Sequence, residues 1–307
     1  MSAAEDSVLV AVVAYNSAPV LPDLIASLPA GLGPVPWQLV VADNDSRDDS
    51  VAVVRRLAPE AVVVPMGRNA GYAAGINAAV AAGGPHRAVL VLNPDVRLEP
   101  GCVPTLLAAL REPGVGIAVP LLRDAHGVRI DSLRREPSVR RALADAVLGA
   151  DRAGRLGRLG EVVSADAAYR HACDTDWAEG STQLVSAACW ARVGPWDESF
   201  FLYSEEADFD LRARDAGLAT RFVPTAAAVH LEGDSAASPR LWPLLVVNRV
   251  RLFRRRRGLP ATVLFWAAVV LREGSRASLG RRPSRAALRA LLDPARLRAA
   301  PGPGWLG

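Results

Sequence analysis

The sequence predicts an α/β fold built on a doubly wound, mainly parallel sheet, with helices on both faces and a C-terminal helical appendage. The prediction depends on a valine-rich first segment, on alternating strand and helix patterns, and on an apolar run that ends in Asn93-Pro94-Asp95. Such alternation implies right-handed crossovers between parallel strands. With 307 residues and 50% apolar content, the chain can bury one large α/β domain, alone or with an appendage.

Hydrophobic patterns place the first elements in order. The predicted strands are Val8 to Ala14, Gln38 to Ala42, Ala61 to Val64 and Ala88 to Leu92. The predicted helices between them are Val20 to Leu28, Ser50 to Leu57 and Gly71 to Ala82. Apolar runs without alternation are typical of strands that are covered on both faces. The amino-terminal half is therefore predicted to be a nucleotide-binding architecture.

Composition excludes several classes of function. The formal net charge is only +4 and no reading motif is recognisable, so a nucleic-acid partner is not expected. All 36 basic residues are arginine, which excludes the lysine-containing phosphate loop of many ATPases. The segment Gly71-Tyr-Ala-Ala-Gly75 lacks the G-x-G-x-x-G spacing and does not follow the first strand, so a dinucleotide site of that type is disfavoured.

Cysteine usage and the first residues favour a cytoplasmic location. Cys102, Cys173 and Cys189 are odd in number and lack metal-type spacing, so a disulfide framework is not indicated. Glu5 and Asp6 precede the first strand, without the basic region and long apolar run of a cleaved signal peptide. We therefore expect a protein that remains in a reducing compartment.

Two strand ends supply candidate ligands for a nucleotide. Asp95 follows Pro94 at the carboxyl end of a central strand, the edge where open α/β sheets bind metals or diphosphates. Asp43 ends the second strand and is a candidate partner for a nucleobase or a ribose hydroxyl. The alternative is that both are turn residues, with Asp48 or Ser50 capping the next helix.

The loop from Gly67 to Tyr72 is a candidate diphosphate and base clamp. Arg68 and the amides that open the following helix, which contains Asn77, would favour phosphate oxygens. Alternatively, the loop is an ordinary polar connection with Asn69 as a cap and Gly71 for close packing.

A second patch, from Cys173 to Arg214, has different chemistry. Four carboxylates fall within six residues, namely Glu205, Glu206, Asp208 and Asp210. They suit the start of a helix through its macrodipole, which is the alternative to a catalytic role. However, Glu206 and Asp210 share one helical face, and the preceding aromatic run would exclude water. One carboxylate there is suited to deprotonate an attacking hydroxyl.

Together these motifs resemble the inverting glycosyltransferases of family 2, which have the GT-A fold, and especially their rhamnosyltransferase branch in bacterial envelope polysaccharide synthesis. The matching segments follow the family order over roughly residues 8 to 235. They are Val13-Ala14-Tyr15-Asn16-Ser17, Asp43-Asn44-Asp45-Ser46, Asn69-Ala70-Gly71-Tyr72 with Asn77, Asn93-Pro94-Asp95, Trp177-Ala178-Glu179-Gly180, and Phe200 to Asp208. Six motifs in the family order form a specific signal.

The resemblance implies roles for individual residues. Nucleotide-sugar contacts are expected at Ala14, Tyr15, Asn16, Asp43, Asn44, Arg68, Asn69, Gly71, Asn77, Asn93 and Asp95, and acceptor contacts at Trp177, Gly180 and Ser181. The catalytic base falls on Glu206, where the family usually has Asp; Glu205 is a possible second base, and Asp208 would orient the acceptor or its loop. The metal-binding D-x-D motif falls on Asn93 to Asp95, so Asp95 is its one charged ligand.

The closing segment H-x-x-G-x-S of the family matches Val229 to Ser235. His230 would then join Asp95 in holding a divalent cation, Mn²⁺ or Mg²⁺. The alternative is a structural histidine.

We expect a catalytic domain over residues 1–238, with a nucleotide-binding half over 1–120 and an acceptor half over 121–238. Residues 239–280 are expected to be a basic and apolar helical segment that either lies in an anionic membrane interface or packs on the catalytic domain. Its uncharged run, Ala261 to Leu271, is too short to span a bilayer. Residues 281–307 are expected to be a flexible tail, and 142–160 a mobile loop near the acceptor side.

The expected reaction is inverting transfer of a sugar from a nucleoside diphosphate to a glycan or a polyprenyl-diphosphate-linked acceptor in cell-envelope synthesis. The resemblance favours dTDP-rhamnose as the donor, while the residues alone support only nucleotide-sugar transfer. The alternative is a non-catalytic protein that binds nucleotide sugar or polyprenyl phosphate, because Asn93 and Glu206 depart from the family pattern.

Overall fold

A computed structural model describes residues 7–231 and 238–305. Its strands are β1 (Val8–Ala14), β2 (Trp37–Asp43), β3 (Val62–Pro65), β4 (Ala88–Leu92), β5 (Val96–Leu98), β6 (Val115–Arg123), β7 (Leu133–Arg134), β8 (Cys173–Thr175), β9 (Trp177–Ala178), β10 (Thr182–Ser186) and β11 (Ala219–His230). Its helices are α1 (Leu21–Leu32), α2 (Ser50–Leu57), α3 (Tyr72–Ala82), α4 (Cys102–Ala109), α5 (Val139–Leu148), α6 (Ala150–Arg155), α7 (Ala187–Val193), α8 (Glu205–Asp215), α9 (Leu241–Arg256), α10 (Leu259–Ser278), α11 (Arg282–Leu292) and α12 (Pro294–Arg298).

The central sheet confirms the predicted fold class. Its strand order is β3-β2-β1-β4-β10-β6-β11-β5, and β8 pairs with β11. The first four strands are mutually parallel, and β6 is parallel to β11. β10 runs antiparallel between β4 and β6. The carboxyl ends of β1, β2 and β4 consequently lie together at one edge of the sheet.

Side chains of β1 alternate between two buried layers. Val8, Val10 and Val12 join one apolar cluster with residues of α1 and α4. Leu9 and Val13 join a second cluster, on the face that α3 covers. Complete burial of a valine or leucine side chain contributes roughly 1.5–3 kcal/mol, so both layers stabilise the sheet. Helices therefore lie on both faces, as predicted.

The C-terminal helices form a third apolar cluster together with α5. Phe253 of α9 stacks on Phe265 of α10, with 4.1 Å between ring centroids. The guanidinium of Arg249 pairs with Asp145 at 3.2 Å and with Glu161 at 2.5 Å. The two carboxylates keep the buried arginine paired, as a buried charge requires. α9 is thereby attached to α5 and to Glu161.

Two segments that were expected to be mobile contain helices in the structure. Residues 142–160, expected to be a mobile loop, contain part of α5 and all of α6. The segment 281–307, expected to be a flexible tail, contains α11 and α12, and Ala287 and Leu291 of α11 are fully buried. The reason is tertiary packing: the apolar side of α11 fits the cluster formed by α9 and α10. In the described part of the chain, no helix is long and apolar enough to cross a membrane.

Candidate active site

The loops that follow β1 and β2 are joined by hydrogen bonds at the edge of the sheet. Ala14 pairs in register with Asp43, and the Ala14 carbonyl accepts a hydrogen bond from the Asn44 amide at 2.8 Å. The Asn16 amide donates to Ser46 Oγ at 3.0 Å, and Asn16 Oδ1 accepts from the Arg47 amide at 2.8 Å. This reciprocal bonding fixes a polar surface on which Tyr15 is exposed and Asp43 is buried.

Asn44 has a supporting position rather than an exposed one. Its Nδ2 donates to Asn69 Oδ1 and to the Gly71 carbonyl, both at 3.1 Å, while its Oδ1 accepts from the Ala70 amide at 2.9 Å. These bonds use the buried amide to hold the 69–71 loop against the end of β2. We call the surface formed by residues 14–16, 43–44 and 68–71 the nucleotide edge.

Gly71 is the residue at which the nucleotide edge contacts Phe201, in the segment before α8. Its φ is +96°, and a Cβ atom there would lie 2.4 Å from the carbonyl oxygen of Phe201. The amide of Tyr72 donates to the same oxygen at 2.6 Å. Only glycine satisfies both the positive φ and the close backbone approach. Close packing of this loop on Phe201 therefore requires glycine at position 71.

Arg68 and Asn77 have different surroundings. Arg68 is exposed to solvent. Asn77 instead exchanges two hydrogen bonds with the backbone of Trp196, at 2.9 and 3.0 Å, and its Nδ2 donates to Glu198 Oε1 at 3.0 Å. Its polar atoms are therefore engaged in holding the segment before α8, which differs from the nucleotide contact expected for it.

Asp95, His230 and Glu179 form a line of three polar side chains. His230 Nε2 lies 3.4 Å from Asp95 Oδ1, and His230 Nδ1 lies 2.9 Å from Glu179 Oε1. The alignment follows from β5 and β11, which place His230 opposite Val96. The backbone N–H of Asn93 donates to the backbone carbonyl of Ser181 at 2.9 Å. The predicted metal pair is therefore brought together, while Glu232, Gly233, Asp234 and Ser235 of the closing segment lie outside the described residues.

His230 lies between two carboxylates that favour its charged form. Burial opposes a charged imidazole, but hydrogen bonds and charges from Asp95 and Glu179 outweigh it and raise the pKa of His230 to about 10. Burial likewise opposes ionisation of Asp95, yet the bond to His230 lowers the pKa of that carboxyl below its ordinary value. Without a cation, the three groups form a carboxylate–imidazolium–carboxylate chain.

Glu205 and Glu206 open α8, as the motif predicted. Burial, followed by the charge of Glu206, raises the pKa of Glu205 well above its ordinary value. Burial and the charge of Glu179 raise the pKa of Glu206 to about 7, against opposing backbone hydrogen bonds. A Cβ atom on Gly180 would lie 2.9 Å from Glu206 Cβ, so Gly180 packs directly on this side chain. We call Asp95, Glu179, Glu205, Glu206 and His230 the catalytic corner.

The other two carboxylates of the acidic run have structural partners. Asp208 pairs with Arg212 at 2.7 Å, and Arg212 also donates to the carbonyls of Val193 and Pro195. Asp210 is fully buried and accepts from the Ala178 amide at 3.0 Å. The four-residue spacing of Glu206 and Asp210 therefore serves to hold β9 rather than to supply a second base.

The acceptor-side residues line the region next to the catalytic corner. Trp177 packs in a small cluster with Phe200 and donates its Nε1 to the Arg135 carbonyl at 3.1 Å. Ser181 is buried and contributes its carbonyl to Asn93. Gly180 therefore packs on Glu206, Trp177 packs on the apolar side of α8, and the Ser181 side chain is buried.

Two residues in the matching motifs received no role from the sequence. Glu179 holds the second nitrogen of His230, a contact between residues 51 positions apart that no local pattern reveals. Tyr72 is the other: its hydroxyl is buried and has no hydrogen-bond partner among the residues that the structure describes. Burial and the charges of Glu205, Asp95 and Glu206 raise the pKa of that phenol. The place of Tyr72 at the end of the Asn69-Ala70-Gly71-Tyr72 motif was the available signal.

A polar sheet edge beside buried carboxylates suits a group-transfer enzyme. The sequence comparisons make the class specific, and the chain belongs to glycosyltransferase family 2. The family model "Glycosyl transferase family 2" matches residues 9–147. N-acetylglucosaminyl-diphospho-decaprenol L-rhamnosyltransferase of Mycobacterium tuberculosis is 32% identical over 251 residues, which are 75% of this chain and 78% of that protein. The protein is therefore a glycosyltransferase.

Further relatives agree with this assignment. Rhamnosyltransferase WbbL of Escherichia coli is 38% identical over 55 residues, or 18% of this chain and 21% of that protein. The mannosyltransferase of Pyrobaculum calidifontis, solved with GDP-Man and Mn²⁺, superposes with a TM-score of 0.56 at 19% identity and covers 94% of this chain and 81% of its own. TarS of S. aureus, residues 1–349, gives 0.52 at 14% identity, covering 90% and 73%. These structures support the GT-A fold.

Proposed function

We propose that the protein is an inverting rhamnosyltransferase that transfers rhamnose from dTDP-rhamnose to a polyprenyl-diphosphate-linked glycan in cell-envelope synthesis. The observation that carries the proposal is Glu206: it opens α8 beside Gly180, within the same acidic cluster as Asp95 and Glu179, and has a pKa of about 7. A base poised near neutral pH suits deprotonation of a sugar hydroxyl. The names of the mycobacterial and E. coli relatives support the choice of sugar.

The proposed reaction is a single displacement. Glu206 takes the proton of the acceptor hydroxyl while that oxygen forms a bond to the anomeric carbon. The bond from the anomeric carbon to the diphosphate oxygen breaks, and its electron pair leaves with the nucleoside diphosphate. Attack opposite the leaving group inverts the anomeric configuration, and no covalent sugar-enzyme intermediate is required.

The nucleotide edge would bind the donor. The Asp43 carboxylate, at the end of β2, is suited to accept hydrogen bonds from a base imide or a ribose hydroxyl. The exposed Tyr15 offers a ring for stacking, and the exposed guanidinium of Arg68 suits diphosphate oxygens. Asn44, Asn69 and Gly71 would act by shaping the loop between these groups.

Asp95 and His230 are the residues that would hold a divalent cation. Their converging oxygen and nitrogen atoms, with Glu179 on the far ring nitrogen, match the carboxylate–histidine arrangement common behind metal ligands. The described residues contain no group of three or more side chains that could hold a metal ion, so substrate phosphates would have to supply the remaining ligands. When bound, the cation would neutralise charge on the departing diphosphate.

A donor panel tests this function. The purified protein is incubated with Mn²⁺ or Mg²⁺ and thymidine, uridine or guanosine diphosphate sugars, with and without a polyprenyl-diphosphate-linked N-acetylglucosamine. Acceptor-dependent release of dTDP from dTDP-rhamnose is expected from the parent and from Glu60→Gln, an exposed control, but not from Glu206→Gln. Saturable donor binding without release would favour the non-catalytic binding protein instead.

We also propose a peripheral contact with the inner face of an anionic membrane, through α10. Leu259, Val263, Leu264 and Leu271 on this helix are each more than half exposed. The helix has no charged residue between Leu259 and Leu271, and it follows the arginine run that ends α9. Exposed apolar residues next to arginines are typical of helices that lie in an anionic interface.

Vesicle sedimentation tests the membrane contact. The parent is expected to pellet with phosphatidylglycerol vesicles and not with phosphatidylcholine vesicles. The change Val263→Glu with Leu264→Glu should abolish pelleting, whereas Val128→Glu, at a valine 62% exposed in the loop after β6, should leave it unchanged. Equal pelleting of both variants would contradict this assignment of α10.

A further inference from the structure

Asn248 of α9 lies fully buried beneath the segment that leads into α8. Its Nδ2 atom donates to the carbonyl oxygens of Phe200 at 2.7 Å, Leu202 at 2.9 Å and Tyr203 at 3.2 Å. A side-chain amide nitrogen has two N–H donors, so three carbonyls share them. Since carbonyls only accept, the nitrogen and not the oxygen of Asn248 must face them.

The backbone above this amide is strained. Phe201, Tyr203 and Ser204 have φ values of +64°, +68° and +77°, in the left-handed region that residues other than glycine rarely adopt. Each such residue costs roughly 1–2 kcal/mol, so the turn persists because surrounding contacts impose it. The turn directly precedes Glu205 and Glu206, and it determines where the first turn of α8 places them.

One face of α9 supports the whole segment. Asn248, Leu252 and Arg255 are spaced by four and three residues and so share that face. Leu252 packs with Phe200, and the Arg255 guanidinium lies 4.3 Å from the centre of the Phe200 ring. Arg255 also forms an ion pair with Asp197. α9 therefore contacts the start, the middle and the end of the turn.

From this geometry we propose that Asn248 is a positioning residue that fixes the turn 200–204 and, through it, the carboxylate of Glu206. The inference rests on the base assignment proposed above and adds a residue outside both the matched family model and the acidic motif. Loss of the amide donors releases three carbonyls and allows the left-handed residues to relax. Glu206 then moves relative to Gly180 and to the acceptor hydroxyl.

Kinetics of Asn248→Leu, which keeps the size and removes the donors, test the proposal. We expect kcat for acceptor-dependent transfer to fall roughly 10- to 100-fold, because small misplacements of a reacting group have effects of that order. The donor KM and nucleotide affinity should stay within about twofold. The pH profile should also shift, since the surroundings of Glu206 change. Thr262→Val, which removes a buried hydroxyl bonded only within α10, is the matched control.

Hydrogen exchange provides a readout that does not depend on activity. Amides of residues 200–206 should exchange faster in Asn248→Leu than in the parent or in Thr262→Val. Asn248→Ser, which retains one donor, should be intermediate in kcat and in exchange, and it replaces the leucine variant if that fails to fold. Full turnover with unchanged exchange overturns the proposal, and so does an equal loss in Thr262→Val.

The two proposals fail in distinguishable ways. If Glu206→Gln is inactive while folded Asn248→Leu is fully active, the role of Asn248 is wrong and the base assignment stands. If Glu206→Gln retains full turnover, the base assignment is wrong, while faster exchange in Asn248→Leu still identifies the residue that holds the turn.

Discussion

The nucleotide edge and the catalytic corner differ in how they hold their polar side chains. The nucleotide edge joins strand-end loops through hydrogen bonds, such as those of Asn16 and Asn44, and leaves Tyr15 and Arg68 in solvent. The catalytic corner gathers ionisable groups and shields them from solvent, which raises the pKa values of both Glu205 and Glu206. We therefore expect that substitutions in one region change donor affinity and that substitutions in the other change the rate of the chemical step.

Substitution of one charged residue in each region should distinguish their roles most clearly. Glu206→Gln should lower kcat roughly 10²- to 10⁴-fold by removing the base, with nucleotide affinity nearly unchanged. Asp43→Asn should mainly weaken donor binding, about tenfold. Steady-state kinetics and calorimetric titration with dTDP separate the two effects, and equal losses of affinity in both variants would contradict the separation.

The pH dependence should give the next largest effect. Glu206 must be deprotonated to act as a base, and its pKa is about 7. We therefore expect kcat to rise with pH and to level off above about 7, and to fall about tenfold for each pH unit below that value. In Glu206→Gln this limb should be missing from the residual rate. A profile that is flat from pH 5 to 8 in the parent would exclude Glu206 as the base.

A smaller effect on kcat is expected from a methyl group added at Gly180, next to Glu206. In Gly180→Ala the new Cβ would lie 2.9 Å from Glu206 Cβ and 3.1 Å from its Cγ, so the side chain must move. We expect kcat to fall about tenfold without a comparable change in nucleotide affinity. Gly274→Ala is the matched control, because nothing lies within 4 Å of a Cβ atom there. Equal rates for the two variants would show that Glu206 tolerates displacement.

The smallest effect concerns stability. The pKa of Glu205 is raised by folding, so its contribution to stability is fully present below the ordinary pKa of 4.5 and is lost as pH rises. Glu205→Gln should therefore unfold about 2 °C higher than the parent at pH 8, equivalent to roughly 1 kcal/mol, with little difference at pH 4. Thermal unfolding measured at both pH values checks this, with Glu60→Gln as a control that should show no such trend.

Local patterns predicted several elements of the amino-terminal half. Ser50–Leu57 and Ala88–Leu92 were predicted with the bounds that the structure has, because apolar runs and turn residues mark them locally. Other features depend on distant contacts. Asn77 bonds to Trp196, and Asn44 bonds to the 69–71 loop. These partners are distant in the sequence, so local patterns do not show that the two side-chain amides are engaged within the protein. β11 contains a register shift and three consecutive alanines, which weaken its strand pattern in the sequence.

The position of β11 has a consequence for synthesis of the chain. β11 lies between β6 and β5, and its last residue is His230. While the ribosome is still adding residues before this strand, β6 presents an unpaired edge. Exposed strand edges promote association between chains. Fragments cut before residue 230 should consequently aggregate on expression, even when they contain the whole nucleotide edge.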